Sequence, residues 1–279
     1  MSTTTSRSGP TTAVSAFARR HPLTLFFGLA CAFTWWAWVW YRLDPGHVDA
    51  PMFPLGPFVA ALVMLALTGG RPALRAWLGK IVGWRVRPVW YAFVLLVPVV
   101  VTFAAVAFAR ANGAPFTAER LVPGAAAVVT QFAVVLLWVG LGEEPAWRGY
   151  ALPRLMVGRS ALTAALVLGV LHVLWHLPLF GVSYHRDNGV PWGLSVVAFS
   201  VVTAWVWTHT GGSLLLPMLM HASVNSVTFV WQWFGGPDQV RLWWIWSALW
   251  VVLAAGVVVV GGPQFRRDPG APVRDQGKP

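Results

Sequence analysis

The chain has 279 residues, of which 57% are hydrophobic and only 10% are charged, and its formal net charge at pH 7 is +11. Soluble domains carry about 25% charged residues, so the composition excludes an ordinary soluble domain. The basic residues lie mostly between apolar runs, where they orient a membrane protein and contact anionic lipid, and no nucleic-acid motif accompanies them. We therefore predict a lipid bilayer, and no nucleic acid, as a partner.

Eight apolar runs approach the length of about 20 residues that a spanning helix needs. They predict an all-α, polytopic integral membrane protein with about eight transmembrane helices, which form one domain over residues 23–262. The runs are Leu23–Tyr41, Met52–Thr68, Val89–Phe108, Ala125–Gly142, Ala161–Phe180, Trp192–Thr208, Ser213–Phe234 and Leu242–Val260.

The 20 Lys and Arg residues indicate the orientation of these spans. With the N terminus inside, all but five of them fall in inner segments, as the positive-inside rule requires. We therefore predict a multi-pass protein of the cell membrane with both termini cytoplasmic, and polar, disordered cytoplasmic tails at 1–22 and 263–279. The five outer residues are Arg42, Arg110, Arg120, Arg186 and Arg241.

Basic and apolar residues are interleaved over 71–87, between the second and third spans. Such a segment is typical of an amphipathic helix that lies in the membrane interface with its basic side chains toward lipid headgroups. We predict an interfacial helix on the inner leaflet. Its apolar residues are Leu74, Trp77, Leu78, Ile81, Val82 and Trp84.

Two of the nine acidic residues, Glu143 and Glu144, are adjacent at the end of the fourth apolar run, and the others fall in connections or in the tail. Charge at membrane depth is costly, so this pair indicates a functional site unless the helix simply ends in solvent after Gly142. Glu144 and Arg148 are four residues apart and share a helix face, which predicts an ion pair. Glu143 points away from that face and is the candidate general base.

Three of the seven histidines, His172, His176 and His221, lie within the fifth and seventh spans. His172 and His176 share a helix face, as do His221 and Asn225, because each pair is four residues apart. A single intramembrane histidine usually makes an interhelical hydrogen bond. Three of them, with an asparagine and an acid pair in the same half of the chain, predict a catalytic site.

Three motifs in this order resemble the intramembrane protease family that includes the glutamate-dependent CAAX prenyl proteases and their bacterial relatives, the CPBP or ABI family. The EExxxR motif is Glu143 to Arg148, followed by Gly-Tyr; the second motif ends in Trp-His-Leu-Pro at His176; and the HxxxN motif joins His221 to Asn225. The motif region covers residues 143–225, and the Trp-His-Leu-Pro form is typical of bacterial members.

The resemblance implies an intramembrane endopeptidase that hydrolyses a peptide bond with an activated water. Glu143 would deprotonate the water with help from His176, while His221 and Asn225 would donate hydrogen bonds to the oxyanion. Glu144 and Arg148 would support the helix. It also implies catalysis without a metal cofactor, on a protein or peptide substrate that enters from the membrane or the cytoplasmic side.

His172 departs from the family pattern, because relatives usually have Phe or Trp at its position. We interpret it as a packing neighbour of the site. A zinc-dependent version of the same protease stays open, with Glu143, His176 and His221 as ligands, because Glu and His are ordinary zinc ligands. Two other classes also stay open: a non-catalytic membrane scaffold or immunity protein, and a proton-coupled transporter, since Glu and His chains also relay protons.

The depth of the two main catalytic candidates imposes a condition on the fourth helix. His176 lies about 21 Å into the fifth span at 1.5 Å per residue, whereas a helix that ends at Gly142 leaves Glu143 near the inner surface. We therefore predict that the fourth helix continues through Pro145, with a kink, to about Leu155.

Overall fold

The computed structural model describes residues 10–44, 54–116, 123–181 and 187–265, and these ranges contain helices and no strand. The all-α prediction is confirmed. The helices longer than one or two turns are α1 (Pro10–Arg20), α2 (Pro22–Leu43), α3 (Gly56–Ile81), α4 (Pro88–Ala111), α5 (Ala125–Leu155), α6 (Ala161–Trp175), α7 (Gly189–His209), α8 (Leu215–Ser226) and α9 (Gly236–Gly261).

Six helices in the described ranges, α2, α3, α4, α5, α7 and α9, are long and apolar enough to cross a membrane. Helix α6 is apolar but shorter, and α8 has 12 residues. The protein is thus a multi-pass membrane protein, and each of the eight predicted runs coincides largely with a helix. The number of spans and the cytoplasmic side of the termini stay predictions.

Helix α1 occupies half of the segment 1–22 that the sequence predicts as a disordered tail, so that prediction is wrong for Pro10–Arg20. The reason is that α1 packs against α3 and buries Ala18 in the core. This tertiary contact stabilises the helix, and the local composition does not reveal it. The predicted tail residues 1–9 and 266–279 lie outside the described residues.

Helix α3 bends at Gly70, whose φ of 61° is non-helical, and the part after the bend corresponds to the predicted interfacial helix. This part ends at Ile81 and not at Arg87. Arg87 is extended (φ −60°, ψ 138°), as expected for a residue before a proline, which disfavours helical backbone. The location of the helix at the membrane interface stays a prediction.

Helix α5 passes through Pro145 without interruption and ends at Leu155, so the predicted continuation of the fourth helix is confirmed. Two turns of π-helix, Leu136–Gly140 and Trp147–Ala151, lie on either side of the proline. Such turns widen a helix locally and are frequent at functional sites. The continuation places both glutamates inside the bundle.

Close packing of α6 against α7 sets the position of the histidine pair. A Cβ atom added at Gly169 in α6 would lie 2.8 Å from Cα of Val197 in α7, so only glycine allows this approach. The hydroxyl of Ser200 in α7 also donates to the carbonyl oxygen of Ala165 in α6 at 2.8 Å. These contacts fix the end of α6 that carries His172 and His176 relative to the rest of the bundle.

Candidate active site

The carboxylates of Glu143 and Glu144 are buried, with 4% and 0% of each residue exposed. The alternative that the pair forms a solvated helix end is therefore excluded. The backbone at Pro54 packs closely against α5 beside this pair, since a Cβ atom added at Gly142 would lie 2.7 Å from the carbonyl oxygen of Pro54. Both carboxylates thus lie in a low-dielectric interior where each needs a polar partner.

Glu144 is paired with Arg148, as the four-residue spacing predicts. Nη1 of Arg148 lies 3.0 Å from each carboxylate oxygen, and the guanidinium is fully buried. Nη2 donates to the hydroxyl oxygen of Thr203 in α7 at 2.7 Å, and this hydroxyl donates onward to the carbonyl oxygen of Phe199 at 2.7 Å. The pair therefore joins α5 to α7 inside the bundle.

Glu144 also contacts His221 in α8. Nδ1 of His221 lies 2.8 Å from Oε1 of Glu144, and because a carboxylate only accepts, Nδ1 carries the proton and donates it. The sequence predicts His221 on the same site as the glutamates, but it does not predict that Glu144 is its direct partner. The contact fixes the imidazole with its other nitrogen, Nε2, directed away from Glu144.

Glu143 has a different set of contacts. Oε2 of Glu143 lies 2.9 Å from Nε2 of His172 and accepts a hydrogen bond from Nε1 of Trp147 at 3.4 Å. The contact with His172 is an ion pair when the imidazole is protonated, although the ring N–H does not point directly at the oxygen. His172 is thus in direct contact with the candidate base, closer than the packing neighbour that the sequence predicts.

His176 caps the C terminus of α6 among aromatic rings. Its Nδ1 lies 3.1 Å from the carbonyl oxygen of His172, and its ring is buried. The ring stacks on Trp38 with centroids 5.3 Å apart and contacts the edges of Trp175 and Trp192. These neighbours hold the imidazole in one orientation beside α5.

The structure brings Glu143, His172 and His176 together, because one ligand-type atom of each lies within 4.8 Å of the others. The predicted meeting of Glu143 and His176 is thus present. This group differs from the zinc ligands proposed from the sequence, since His172 takes the place assigned to His221. The two adjacent glutamates therefore contact different helices: Glu143 faces α6, and Glu144 faces α8.

Asn225 lies one helical turn after His221 on α8 and is half-buried. Its backbone carbonyl accepts a hydrogen bond from Thr228 at 3.0 Å. Within the described ranges its carboxamide has no hydrogen-bond partner, so the amide N–H groups stay available to a bound molecule. His221 and Asn225 share a helix face, as their spacing predicts.

Residues 125–227 match the family described as Type II CAAX prenyl endopeptidase Rce1-like. The CAAX prenyl protease 2 of Methanococcus maripaludis is 29% identical over 100 residues, which cover 33% of this chain and 37% of that relative. Over this segment, about a third of its length, the chain is similar to CAAX proteases. The matched segment contains every residue of the candidate site predicted from the motifs, and the comparisons agree with the resemblance inferred from them.

Sequence reasoning missed two residues of the candidate site, Thr203 and Trp147. Thr203 is the acceptor for Arg148, and a weak signal for it exists, because it is one of few hydroxyl residues in an otherwise apolar span. Trp147 lies inside the EExxxR motif at a position that the motif leaves open. Its ring faces His172 at 5.1 Å between centroids, so it packs the cluster from the α5 side.

Proposed function

We propose that this protein is an intramembrane endopeptidase that hydrolyses a peptide bond with a water activated by Glu143 and His176. One observation carries the proposal: a buried carboxylate and two buried imidazoles lie within 4.8 Å of one another, inside a segment that matches CAAX endopeptidases.

Glu143 is the better base of the two glutamates. Arg148 and His221 both contact the carboxylate of Glu144, whereas Glu143 contacts His172 and Trp147. In the proposed reaction Glu143 takes a proton from the water as its oxygen attacks the peptide carbonyl, and His176 orients that water. The same proton then passes to the leaving amine. No covalent enzyme intermediate forms, because the nucleophile is water.

The oxyanion that develops on the carbonyl needs donors, and α8 supplies them in this proposal. Asn225 donates from its carboxamide. His221 already donates from Nδ1 to Glu144, so its Nε2 donates only when the ring carries both protons, and Glu144 balances the resulting charge. A buried site strengthens such donors, because few water dipoles compete with them.

The substrate class follows from the location of the site and from the matched relative. The site lies among helices that are apolar enough to span a membrane, so we propose a protein or peptide substrate that enters from the membrane or the cytoplasmic side. Because the Methanococcus relative is called a CAAX prenyl protease, a prenylated C-terminal peptide is the first substrate to test.

Purified protein incubated with prenylated and unprenylated peptide libraries tests the proposal. We expect wild type to cleave, and Glu143→Gln and His176→Ala to lose activity by about 10²-fold or more, as expected when general-base catalysis is removed. Equal cleavage by wild type and Glu143→Gln overturns the role of Glu143. If a chelator abolishes cleavage and zinc restores it, the metal-free mechanism is overturned. If the protein carries protons into liposomes and the same variants abolish this flux, a transporter is favoured.

A further inference from the structure

We propose that residues 71–87, which we call the basic segment, bind anionic phospholipid headgroups and thereby stabilise the contact between α5 and α8. The segment comprises the part of α3 after the bend at Gly70 and the connection to α4. Helix α5 carries both glutamates of the candidate site, and α8 carries His221 and Asn225. A lipid bound to the basic segment would therefore act on the site from outside it.

The basic segment carries a concentrated positive charge. Its five basic side chains are all exposed, and the sequence has no acidic residue between Asp49 and Glu119. None of the five makes an ion pair with another described residue. Basic residues near a membrane surface attract anionic lipid, so the charge of the segment fits a phosphate headgroup. The five are Arg71, Arg75, Lys80, Arg85 and Arg87.

Exposed apolar side chains on the same segment favour a phospholipid over a soluble anion or an acidic protein. Leu78, Val82 and Trp84 are 44%, 69% and 62% exposed. Arg71, Arg75 and Leu78 follow one another at helical spacing and share the exposed face of α3. A helix face that combines basic with apolar residues suits the boundary between headgroups and acyl chains, where both kinds of side chain find a partner.

The opposite face of the basic segment packs against α5 beside the candidate site. Trp77 is buried, and its Nε1 donates to the carbonyl oxygen of Pro145 at 3.0 Å. Pro145 directly follows the two glutamates in the sequence. The same indole lies against Gly149, where an added Cβ atom would be 2.6 Å from Nε1. A shift of the basic segment is therefore transmitted directly to the part of α5 that carries the glutamates.

The C-terminal part of the basic segment is bonded to the start of α8. The backbone N–H of Leu214 donates to the carbonyl oxygen of Lys80 at 2.9 Å, and the hydroxyl of Ser213 donates to the carbonyl oxygen of Gly83 at 2.7 Å. The basic segment thus bridges α5 and α8. The candidate site joins the same two helices through the 2.8 Å contact of His221 with a glutamate.

These contacts predict that lipid charge regulates the site. Anionic headgroups bind the five basic side chains best when the segment lies in place, and a ligand shifts a protein toward the arrangement that it binds better. The hydrogen bonds of the segment then limit the movement of α5 relative to α8. Without anionic lipid the five like charges repel one another, and these hydrogen bonds open more often.

This inference deepens the proposed function and rests on it only where cleavage is measured. Lipid binding and the opening of hydrogen bonds are both measured without a substrate. A protein that cleaves no peptide therefore rejects the proposed function and leaves the test of the basic segment intact. A protein that cleaves peptides but binds no anionic lipid at this segment rejects only the present inference.

The first experiment counts the phospholipids bound to the full-length protein by native mass spectrometry. Protein in detergent is titrated with phosphatidylglycerol, with phosphatidylcholine and with inorganic phosphate. We expect phosphatidylglycerol to bind most tightly, and Arg71→Gln/Arg75→Gln to weaken its binding by about 25-fold, because each basic residue near a membrane surface contributes about 5-fold.

The matched control for this pair is Arg110→Gln/Arg241→Gln, which removes two exposed charges at the other end of α4 and in α9. We expect it to bind phosphatidylglycerol as wild type does. Equal weakening in the two double variants, or equally tight binding of phosphatidylcholine, overturns the lipid site. Inorganic phosphate that binds as tightly as phosphatidylglycerol assigns the segment to a free anion and also overturns it.

The second experiment measures amide hydrogen exchange in nanodiscs of phosphatidylcholine with and without phosphatidylglycerol. The N–H of Leu214 exchanges only when its hydrogen bond to Lys80 opens. We expect phosphatidylglycerol at about ten times its dissociation constant or more to slow this exchange by about 10-fold or more in wild type. Exchange that phosphatidylglycerol leaves unchanged overturns the coupling, and so does a cleavage rate that is the same in both nanodiscs.

Trp77→Phe distinguishes the two contacts of the segment, because it keeps a ring but removes the donor to Pro145. Phosphatidylglycerol should still slow exchange at Leu214 in this variant, but it should no longer slow exchange over Trp147–Leu155 in α5. Equal slowing of α5 in wild type and in Trp77→Phe overturns the route through Trp77. If Trp77→Phe does not fold, the double variant of the two exposed arginines replaces it and should lose the slowing in both helices.

Discussion

The imidazole of His221 donates a hydrogen bond to the carboxylate of Glu144 over 2.8 Å and thereby ties α8 to α5. The same carboxylate accepts from Arg148, so one buried glutamate serves a cation and a histidine at once. The neighbouring carboxylate of Glu143 contacts His172 of α6 instead, and it is the base in the proposed reaction. The two adjacent glutamates thus have different partners because each one faces a different helix.

Arg148→Met should be one of the most destabilising single substitutions in this protein. It removes the cation from a fully buried pair and leaves Glu144 charged without it, a change that typically costs about 3–5 kcal/mol. Thermal unfolding in detergent measures the loss. The double variant Glu144→Gln/Arg148→Met removes both charges and should recover part of the stability, and a double variant no more stable than the single one contradicts the buried-charge explanation.

The pairing of Arg148 with Thr203 allows a second test of the same network. Thr203→Val keeps the shape of the side chain but removes the acceptor for Nη2 of Arg148. We expect a loss of about 1–3 kcal/mol in unfolding free energy, because a buried donor is left unsatisfied. Thr208→Val on the same helix is the control, since the hydroxyl of Thr208 donates to its own helix at Trp205. Equal losses in both variants would exclude a special role for Thr203.

Much of the architecture can be predicted from the sequence because the constraints on a membrane helix are simple. Apolar runs of spanning length mark the helices, and the requirement that Glu143 reach the depth of His176 predicts the continuation of α5 through Pro145. The pairing of Glu144 with Arg148 follows from helical periodicity alone, since it depends on one helix and not on the packing between helices.

The arrangement between helices is beyond the reach of the same reasoning. His172 and His176 share a face of α6, and periodicity does not tell which of them approaches Glu143, because that depends on the rotation of α6 against α5. The π-helical turn at Trp147–Ala151 changes that rotation and has no marker in the sequence. The choice of His221 as the partner of Glu144 depends in the same way on how α8 packs.

Gly149 follows Arg148 in the site motif and allows a close approach that any side chain would prevent. A Cβ atom there would lie 2.6 Å from Nε1 of Trp77 and 2.8 Å from Cδ1 of Leu214. Trp77 donates from Nε1 to the carbonyl oxygen of Pro145 at 3.0 Å, so the clash disturbs a contact to the site helix. We expect Gly149→Ala to lower stability by about 1–3 kcal/mol through overpacking.

Gly28→Ala is the matched control for Gly149→Ala. Gly28 also lies in a long helix, α2, but a Cβ atom added there meets nothing within 4 Å. Alanine has the higher helix propensity, so this variant should be as stable as wild type or slightly more stable. A comparison of unfolding midpoints in the same detergent checks both, and equal midpoints for the two variants would refute the close approach at Gly149.

Asn225→Ala should reduce kcat and leave KM nearly unchanged. In the proposed reaction the carboxamide donates to charge that develops only in the transition state, and removal of one such donor typically lowers kcat by about 10²–10³-fold. Within the described residues the carboxamide of Asn225 has no hydrogen-bond partner. Asn225→Ala therefore breaks no hydrogen bond there, and stability should change little.

The control for Asn225→Ala is Asn112→Ala, which removes an exposed carboxamide that donates to Phe108 at the end of α4 and should keep wild-type kcat. Steady-state kinetics on the best substrate of the peptide screen distinguish the two, and a rise in KM with unchanged kcat would assign Asn225 to substrate binding in the ground state and not to the oxyanion.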